Sequence, residues 1–437
     1  MLNVTIVAGD SFEFDARGQR IGRSLAAEGH RVRVLALADA GAITGRTTAV
    51  GGPIPVTFLT LDGRITSVFR PLPQSARRAI GSAIGLDPEA TILPADLPRG
   101  ADIARHPLRR MAEIGAHLRR IGPWADAIAA AAPDTDVFHT QSITALPAVQ
   151  AAARHLGARY VYDYADIQTD GARMARLPRP IRSLARGFES RWARGASARL
   201  AASSGLASIV ERRTHIRPAV VLNCPPAWRH GEDEPPRFDR IREALAIPTE
   251  RPIVLHHGQL KPGRGIEELV AASSSDAMAR HDPAIVIMGF GRLESYVREA
   301  AARLPDRLHV LPPVPPDELL EWIASADVAY LGIPPVTPNI RLTLPNKLFE
   351  AMMAGVPSIA AAGTASARLI EHEGVGRLAS IEVPDKLARA IAELLDLAPD
   401  ERAALRRHCR TTGLRSYSWA LRQGPLIDAY RSLALSG

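Results

Sequence analysis

Short apolar runs of strand length recur along this chain, and nearly every one is followed by a helical pattern before the next begins. That alternation is the strongest constraint on the fold. Strands separated by helix-length connections pair in parallel and are covered on both faces, which is the α/β class built from βαβ units. In the first half the strand-like runs are Leu2–Ala8, Val32–Ala38, Ile54–Leu61, Asp136–Thr140, Tyr160–Tyr164, Ala198–Ala202 and Ala219–Asn223. Helical patterns fall between them at Gln19–Glu28, Ala145–His155, Ile181–Arg194 and Leu206–Arg213. The second half repeats the rhythm, with strands expected at Ile253–His257, Ala284–Gly289, Leu308–Leu311, Val328–Gly332 and Ser358–Ala361. Its expected helices are Ile266–Ala272, Leu293–Arg303, Pro316–Ser325, Lys347–Ala354 and Lys386–Leu394.

A chain of 437 residues exceeds one ordinary core, so two domains are expected. The rhythm breaks at 225–252, where Pro225-Pro226 and Pro235-Pro236 sit among many charges. This reads as a linker between an N-terminal domain, 1–224, and a C-terminal domain, 253–415. The tail 416–437 carries one more amphipathic pattern, Trp419–Leu433, placed to pack back across the boundary. Residues 62–127 fit the rhythm poorly; they are rich in Arg, Pro and Gly, with helices expected around Ala76–Ile84 and Ile103–Ile121. Such an insertion suits acceptor specificity or a mobile surface. No internal repeat of solenoid period is present.

Charge is distributed unevenly. Residues 1–225 hold 29 Lys and Arg against 19 Asp and Glu, a net of +10, whereas the remainder carries −2. From Arg173 to Arg199 eight arginines are opposed only by Glu189, and Arg179, Arg182 and Arg186 are spaced to line up on one helix. The stretch reads either as a solvated face or as a contact for an anionic acceptor or anionic lipid. Nucleic acid is not an expected partner, because aromatic residues make up only 5% and no base-stacking or groove-reading motif occurs. Two distant cysteines, Cys224 and Cys409, imply a reducing compartment rather than a disulfide framework. No secretory signal pattern precedes Leu2, and no apolar run reaches the roughly 18 residues of a membrane span. A cytoplasmic protein is the expectation, with a peripheral place at the inner face of the membrane as the alternative that goes with the lipid reading; the oligomeric state is not legible.

The most informative stretch is Pro345-Asn346-Lys347-Leu348-Phe349-Glu350, continuing to Gly355-Val356-Pro357. A proline opens a helix, a glycine stops it, and Lys347 and Glu350 share one face at i,i+3. A helix offering its positive N-terminus and a polar face beside a buried strand can hold a phosphorylated ligand. Upstream, the run Ile253–Gly258 passes through Gln259, Lys261 and Arg264 into a helix, so backbone N–H groups and a guanidinium could cradle a diphosphate. A second such loop, Gly289-Phe290-Gly291-Arg292, has glycines that permit close approach of a ligand to the backbone. Together with Asn339–Glu350, three loops end at the carboxyl edge of one inferred sheet, where open parallel sheets bind ligands. His256 and His257 are adjacent, so they point to opposite faces of a strand and cannot chelate together.

The order and spacing of these loops resemble the retaining glycosyltransferases of family 4, over nearly the whole chain. The resemblance implies the GT-B fold, two Rossmann-like domains with parallel sheets facing across a cleft. It also implies transfer of a sugar from a UDP- or GDP-type nucleotide sugar, the co-substrate, with no cofactor and no metal. Gly258-Gln259-Leu260 and Arg264-Gly265 look like the family's diphosphate loop, with Gln259 in place of its first cation. Gly289 and Gly291 resemble its Gly-x-Gly turn, and Glu350 stands where the family's ribose-binding glutamate closes an E-x7-E motif whose first position is here Leu342. A subset carries Pro-Asn-Lys-Leu-Phe-Glu, which makes Asn339, Asn346 and Lys347 sugar- and phosphate-facing candidates. In the first half Asp15-Ala16-Arg17, the strand Asp136–Gln141 and Val161-Tyr162-Asp163-Tyr164-Ala165-Asp166 resemble family segments, with Ala165 where many members have a histidine. By resemblance the catalytic candidates are Arg264, Lys347, Asp166 and His139, and Arg17 and Asp163 lie on the acceptor side. An acceptor that is a glycan, glycolipid or small molecule is implied, and an anionic or membrane-surface one by the charge. The departures at Leu342 and Ala165 also fit a catalytically weak or inactive GT-B subunit that binds a nucleotide sugar or a partner enzyme. An epimerase of the same fold requires more acid–base groups than these segments offer.

Overall fold

A computed structural model describes residues 1–9, 12, 15–37, 47–49, 54–59, 106–171, 174, 177–229, 231 and 234–435. The helix expected at Ala76–Ile84, the start of the one at Ile103–Ile121, and most of the insertion at 62–127 lie outside the described residues, as do Ala38, Leu61, Arg173 and Arg176. The chain divides into two compact units. Met1–Ala201, Ala207–Val220 and Pro425–Gly437 form the first; Ala202–Leu206 and Val221–Gly424 form the second.

The first unit contains β1 (Asn3–Ala8), β2 (Arg31–Leu37), β3 (Thr47–Ala49), β4 (Pro55–Leu59), β5 (Val137–Thr140), β6 (Arg159–Tyr164), β7 (Ala198–Ala201) and β8 (Ala219–Val220). Their order in one sheet is β3-β4-β2-β1-β5-β6-β7-β8, parallel except for the antiparallel pair β3–β4. The crossover helices are α1 (Ala16–Ala27), α2 (His106–Ala131), α3 (Leu146–Leu156), α4 (Arg179–Gly195) and α5 (Ser204–Thr214). Local chemistry fixes their ends. Asp15 caps α1 by accepting from the Gly18 N–H at 2.8 Å, and α3 opens with Pro147 in its first turn and stops at Gly157 in the left-handed region.

An ion pair lies at the heart of this sheet. Arg17 on α1 donates from Nε and Nη2 to the two oxygens of Asp163 on β6, at 2.7 and 2.8 Å, and both side chains are almost completely buried. His139 on β5 is fully buried; its Nδ1 lies 2.9 Å from the Tyr430 hydroxyl on the C-terminal helix Gly424–Leu435, and its Nε2 is 3.7 Å from Asp163. Burial alone would push the Asp163 carboxyl up, but Arg17 and His139 outweigh it and hold it down, to about 2. Arg17, Asp163 and His139 are all closed to solvent, and the trio ties α1, β5, β6 and the C-terminal helix together.

In the second unit the elements are α6 (Arg240–Leu245), β9 (Ile253–Gln259), α7 (Ile266–Ala272), α8 (Asp276–Ala279), β10 (Ala284–Phe290), α9 (Glu294–Arg303), β11 (Leu308–Leu311) and α10 (Leu319–Ala324). They continue with β12 (Val328–Leu331), α11 (Pro338–Leu342), α12 (Asn346–Met353), β13 (Ser358–Ala361), α13 (Ala365–Glu373), β14 (Gly376–Ala379), α14 (Pro384–Leu395) and α15 (Pro399–Ser416). The sheet is wholly parallel with order β11-β10-β9-β12-β13-β14, the doubly wound arrangement. Alternate residues of β9 enter different cores: Val254 packs with Leu269, Ile285 and Ile391, whereas Ile253 and Leu255 pack with Val286, Ile323 and Ala351. A third cluster seats α12 through Leu348, Phe349 and Met352 against Cys409 and Tyr417. The buried Arg410 of α15 closes the far end of α12 by donating to the Met353 carbonyl at 2.5 Å, and it also reaches the carbonyls of Trp228 and Arg229. The pattern of apolar runs did not anticipate β3, β14, α6, α8, α11, α13 or α15.

Removing one partner of the Arg17–Asp163 pair leaves a buried charge with no counter-ion. Asp163→Ala is expected to cost about 3–5 kcal/mol, read as a lowered midpoint in urea. Because the folded carboxyl is held below its ordinary value, the pair stabilises at neutral pH, and its contribution fades as pH falls from about 4 towards 2.

Candidate functional site

Where strand order reverses in a doubly wound sheet, neighbouring strands send their crossovers to opposite faces and leave a crevice at their carboxyl ends. In the second unit the reversal lies between β9 and β12. There β9 runs out through His256-His257-Gly258-Gln259, and α12 begins at Asn346 after Pro345, with no side-chain cap and no acid in its first turn. Unpaired N–H groups at such a start favour an anion.

Lys347 crosses the end of β9. A Cβ placed on Gly258 would come within 3.1 Å of Lys347 Cε, and Gly258 has φ +110°, so a side chain there is opposed both by space and by backbone. The Lys347 amine stands 3.4 Å from His256 Nε2, a long contact. Burial pulls the Lys347 amine down, the Arg264 cation pulls it further, and Glu350 only partly opposes them, leaving it at about 7. His256 is pushed well below its ordinary value by burial and by the neighbouring Lys347 and His257. The neutral ring can therefore accept from Lys347.

Glu350, one turn further along α12, is nearly buried, and its Oε2 lies 3.2 Å from His257 Nε2. Burial lowers the His257 pKa more than the Glu350 carboxylate raises it, so a neutral His257 donates its N–H to the carboxylate. Lys347 and Glu350 sit at i,i+3, and Glu350 both opposes the lowering of the Lys347 amine and pairs with His257. The two histidines point to opposite faces, as their adjacency requires, yet both serve this corner because a long lysine reaches over a glycine to one of them. Periodicity alone gave no sign of that role.

The other expected groups fall as follows. Arg264 is half-buried in the turn before α7, close enough to depress the Lys347 amine, while Gln259 is exposed. Asn346 is the half-buried first residue of α12. Asn339 lies on the short helix α11, where its carbonyl accepts from Thr343 Oγ1 at 2.8 Å; a loop was expected there. Leu342 ends that helix, half-buried. Asp166 belongs to the first unit, half-buried two residues beyond β6. Gly289 and Gly291 have a reason within the fold to lack a side chain. A Cβ on Gly289 would lie 1.9 Å from the Gly258 carbonyl oxygen, and one on Gly291 2.5 Å from that of Leu260. The space a side chain would need at these glycines is taken by β9 and the loop after it, so the protein's own backbone already requires glycine there. Among the described residues no three of His, Cys, Asp and Glu stand together as metal ligands.

Two doubly wound units, one of them with this basic corner at its switch point, define the GT-B fold class, and known proteins agree. Residues 251–397 match the family described as glycosyl transferases group 1. Sucrose-phosphate synthase from Thermosynechococcus elongatus superimposes with a TM-score of 0.70 at 16% identity, covering 100% of both chains. Anabaena HepE, solved with UDP and glucose, gives 0.65 at 15% identity over 99% of this chain and 100% of its own. In sequence, the chain is 26% identical over 194 residues to a GDP-mannose-dependent monoacylated alpha-(1-6)-phosphatidylinositol monomannoside mannosyltransferase of Corynebacterium glutamicum, 44% of this chain and 50% of that protein. It is 27% identical over 197 residues to a D-inositol 3-phosphate glycosyltransferase of Xylanimonas cellulosilytica, 44% of each. The chain thus spans about half the length of the curated relatives it matches.

If the space at Gly289 serves backbone packing, Gly289→Ala must force β9 and β10 apart with no ligand present. The expected result is a loss of about 1–3 kcal/mol or more in the free protein, measured as a drop in Tm without nucleotide. An unchanged Tm with lost nucleotide binding would instead make ligand contact the reason for glycine there.

Proposed function

We propose that the second unit binds the diphosphate of a nucleotide sugar and that the chain is a retaining glycosyltransferase of the family 4 type. The observation that carries the proposal is Lys347 laid over Gly258 at the switch point, beside Arg264 and the open start of α12. A nucleotide sugar brings its own leaving group, and departure is limited by negative charge building on the diphosphate. Arg264, the Lys347 ammonium and the N–H groups at Asn346 stabilise that charge. Glu350, oriented by His257, accepts hydrogen bonds from ribose hydroxyls. The donor is of the UDP or GDP type and is the only co-substrate; the cations take the place a metal would fill, so turnover persists in EDTA. The two named relatives act on acceptors carrying a phosphorylated inositol, which together with the basic first half supports an anionic acceptor. The protein works at the cytoplasmic side of a membrane.

Hydrolysis and transfer with a panel of UDP-, GDP- and TDP-sugars test the reading. Glu350→Gln is expected to lower kcat/KM about 10- to 100-fold, the range of a hydrogen bond to a charged group. Nucleotide binding without turnover for any donor selects the inactive-subunit alternative, and no nucleotide binding removes the donor site altogether.

Lys347 adds a pH signature. With its amine at about 7 in the free protein, an arriving diphosphate raises it and binding takes up a proton. Affinity for UDP or GDP is therefore highest below pH 7 and falls above it, towards tenfold per pH unit. Calorimetry in buffers of different ionisation enthalpy reads the uptake, and Lys347→Met abolishes it.

A further inference from the structure

Helix α4 is turned the opposite way from an ordinary surface helix. Its arginines at 182 and 186 do line up, but on the face towards the protein. Arg186 pairs with Asp170, donating from Nε at 2.9 Å, and the same carboxylate is held by Arg213 from α5. Beside them on this face Glu189 is buried, accepting from Tyr162 at 3.0 Å and from Thr169 at 2.5 Å, and Ser190 and Ala193 are buried too. The apolar residues take the other side. Leu184 is 60% and Phe188 47% exposed, Ile181 and Trp192 are half-buried, and the Phe188 and Trp192 rings stack at 5.7 Å. At 100° per residue these four fall on one stripe.

The margin of that stripe is cationic. Arg191, next to Leu184 around the helix, and Arg194 beyond it are exposed, and α4 has no acid except the buried Glu189. An exposed stripe of Ile, Leu, Phe and Trp bordered by arginines is the composition of a helix that lies in a bilayer interface, with its apolar side in the acyl boundary and its cations at the phosphates. A second copy of the chain is a poor occupant, because pairing two such faces sets arginine against arginine with no acid to offset them.

We propose that α4 is a membrane-docking surface: Ile181, Leu184, Phe188 and Trp192 insert shallowly into an anionic bilayer while Arg191 and Arg194 engage its headgroup phosphates. The proposal fixes the element and the lipid chemistry, goes beyond the donor-site reading, and is measured without nucleotide, so either can fail alone.

Flotation of the full chain with vesicles of phosphatidylcholine, and of phosphatidylcholine with 30% phosphatidylglycerol, tests it. Binding is expected to the anionic vesicles only, and to weaken as salt is raised. Leu184→Ser with Phe188→Ser should reduce partitioning at least tenfold, and Arg191→Gln with Arg194→Gln about fivefold per charge removed. The four side chains are exposed or half-buried, so the circular dichroism spectrum and Tm of both variants should match the wild type. The proposal is overturned if the wild type does not float with anionic vesicles, or if the serine double variant floats as well as the wild type. A dimer in sedimentation that the serine double variant dissociates, with no vesicle binding, would give the face to a second copy instead.

Discussion

The reversal of strand order between β9 and β12 is the constraint on which the rest of the second unit depends. Crossovers leave those two strands towards opposite faces, so their carboxyl ends stay uncovered and the chain must finish the crevice with loops. Everything polar in that corner follows from it. Gly258 has no side chain where Lys347 passes, α12 starts there without a cap, and Arg410 fixes the helix from its other end by closing on the Met353 carbonyl. The two histidines at the end of β9 then hold Lys347 and Glu350 of α12 from the two faces of the strand.

On the reading proposed above, this geometry would favour an anion more strongly than its individual groups suggest. A lysine that is half desolvated and repelled by Arg264 loses its proton more easily than an exposed one. A diphosphate relieves both penalties at once, supplying counter-charge while accepting the hydrogen bonds. The first unit has the same winding but a different interior at the equivalent strand ends. Its charges, Arg17 and Asp163, neutralise each other in the core.

Much of the fold was legible because parallel strands buried on both faces read as continuous apolar runs, as at Ile253–Leu255 and Ala284–Met288. That Lys347 and Glu350 share one helix was legible because i,i+3 spacing survives in any helix. What failed to show depends on contacts distant in sequence. Arg17 and Asp163 are 146 residues apart, so no local pattern reveals that they pair. Gly289 announces a close approach but not its partner, which proved to be the Gly258 carbonyl. The spacing of Arg182 and Arg186 places them on one face of α4, yet only their neighbours Asp170 and Glu189 decide that this face is the inner one. The helices α13 and α15 were hidden by their many charged residues, since α15 is packed through arginines such as Arg406 and Arg410 as much as through apolar side chains.

The central claim is that one corner of the second unit holds a nucleotide diphosphate between Lys347, Arg264 and the start of α12. A crystal structure of the chain with UDP or GDP tests this most directly. The account predicts diphosphate oxygens within hydrogen-bond distance of Lys347 Nζ and the Arg264 guanidinium, and ribose hydroxyls on Glu350. Nucleotide bound elsewhere, or bound here with its phosphates turned away from Lys347, would contradict it.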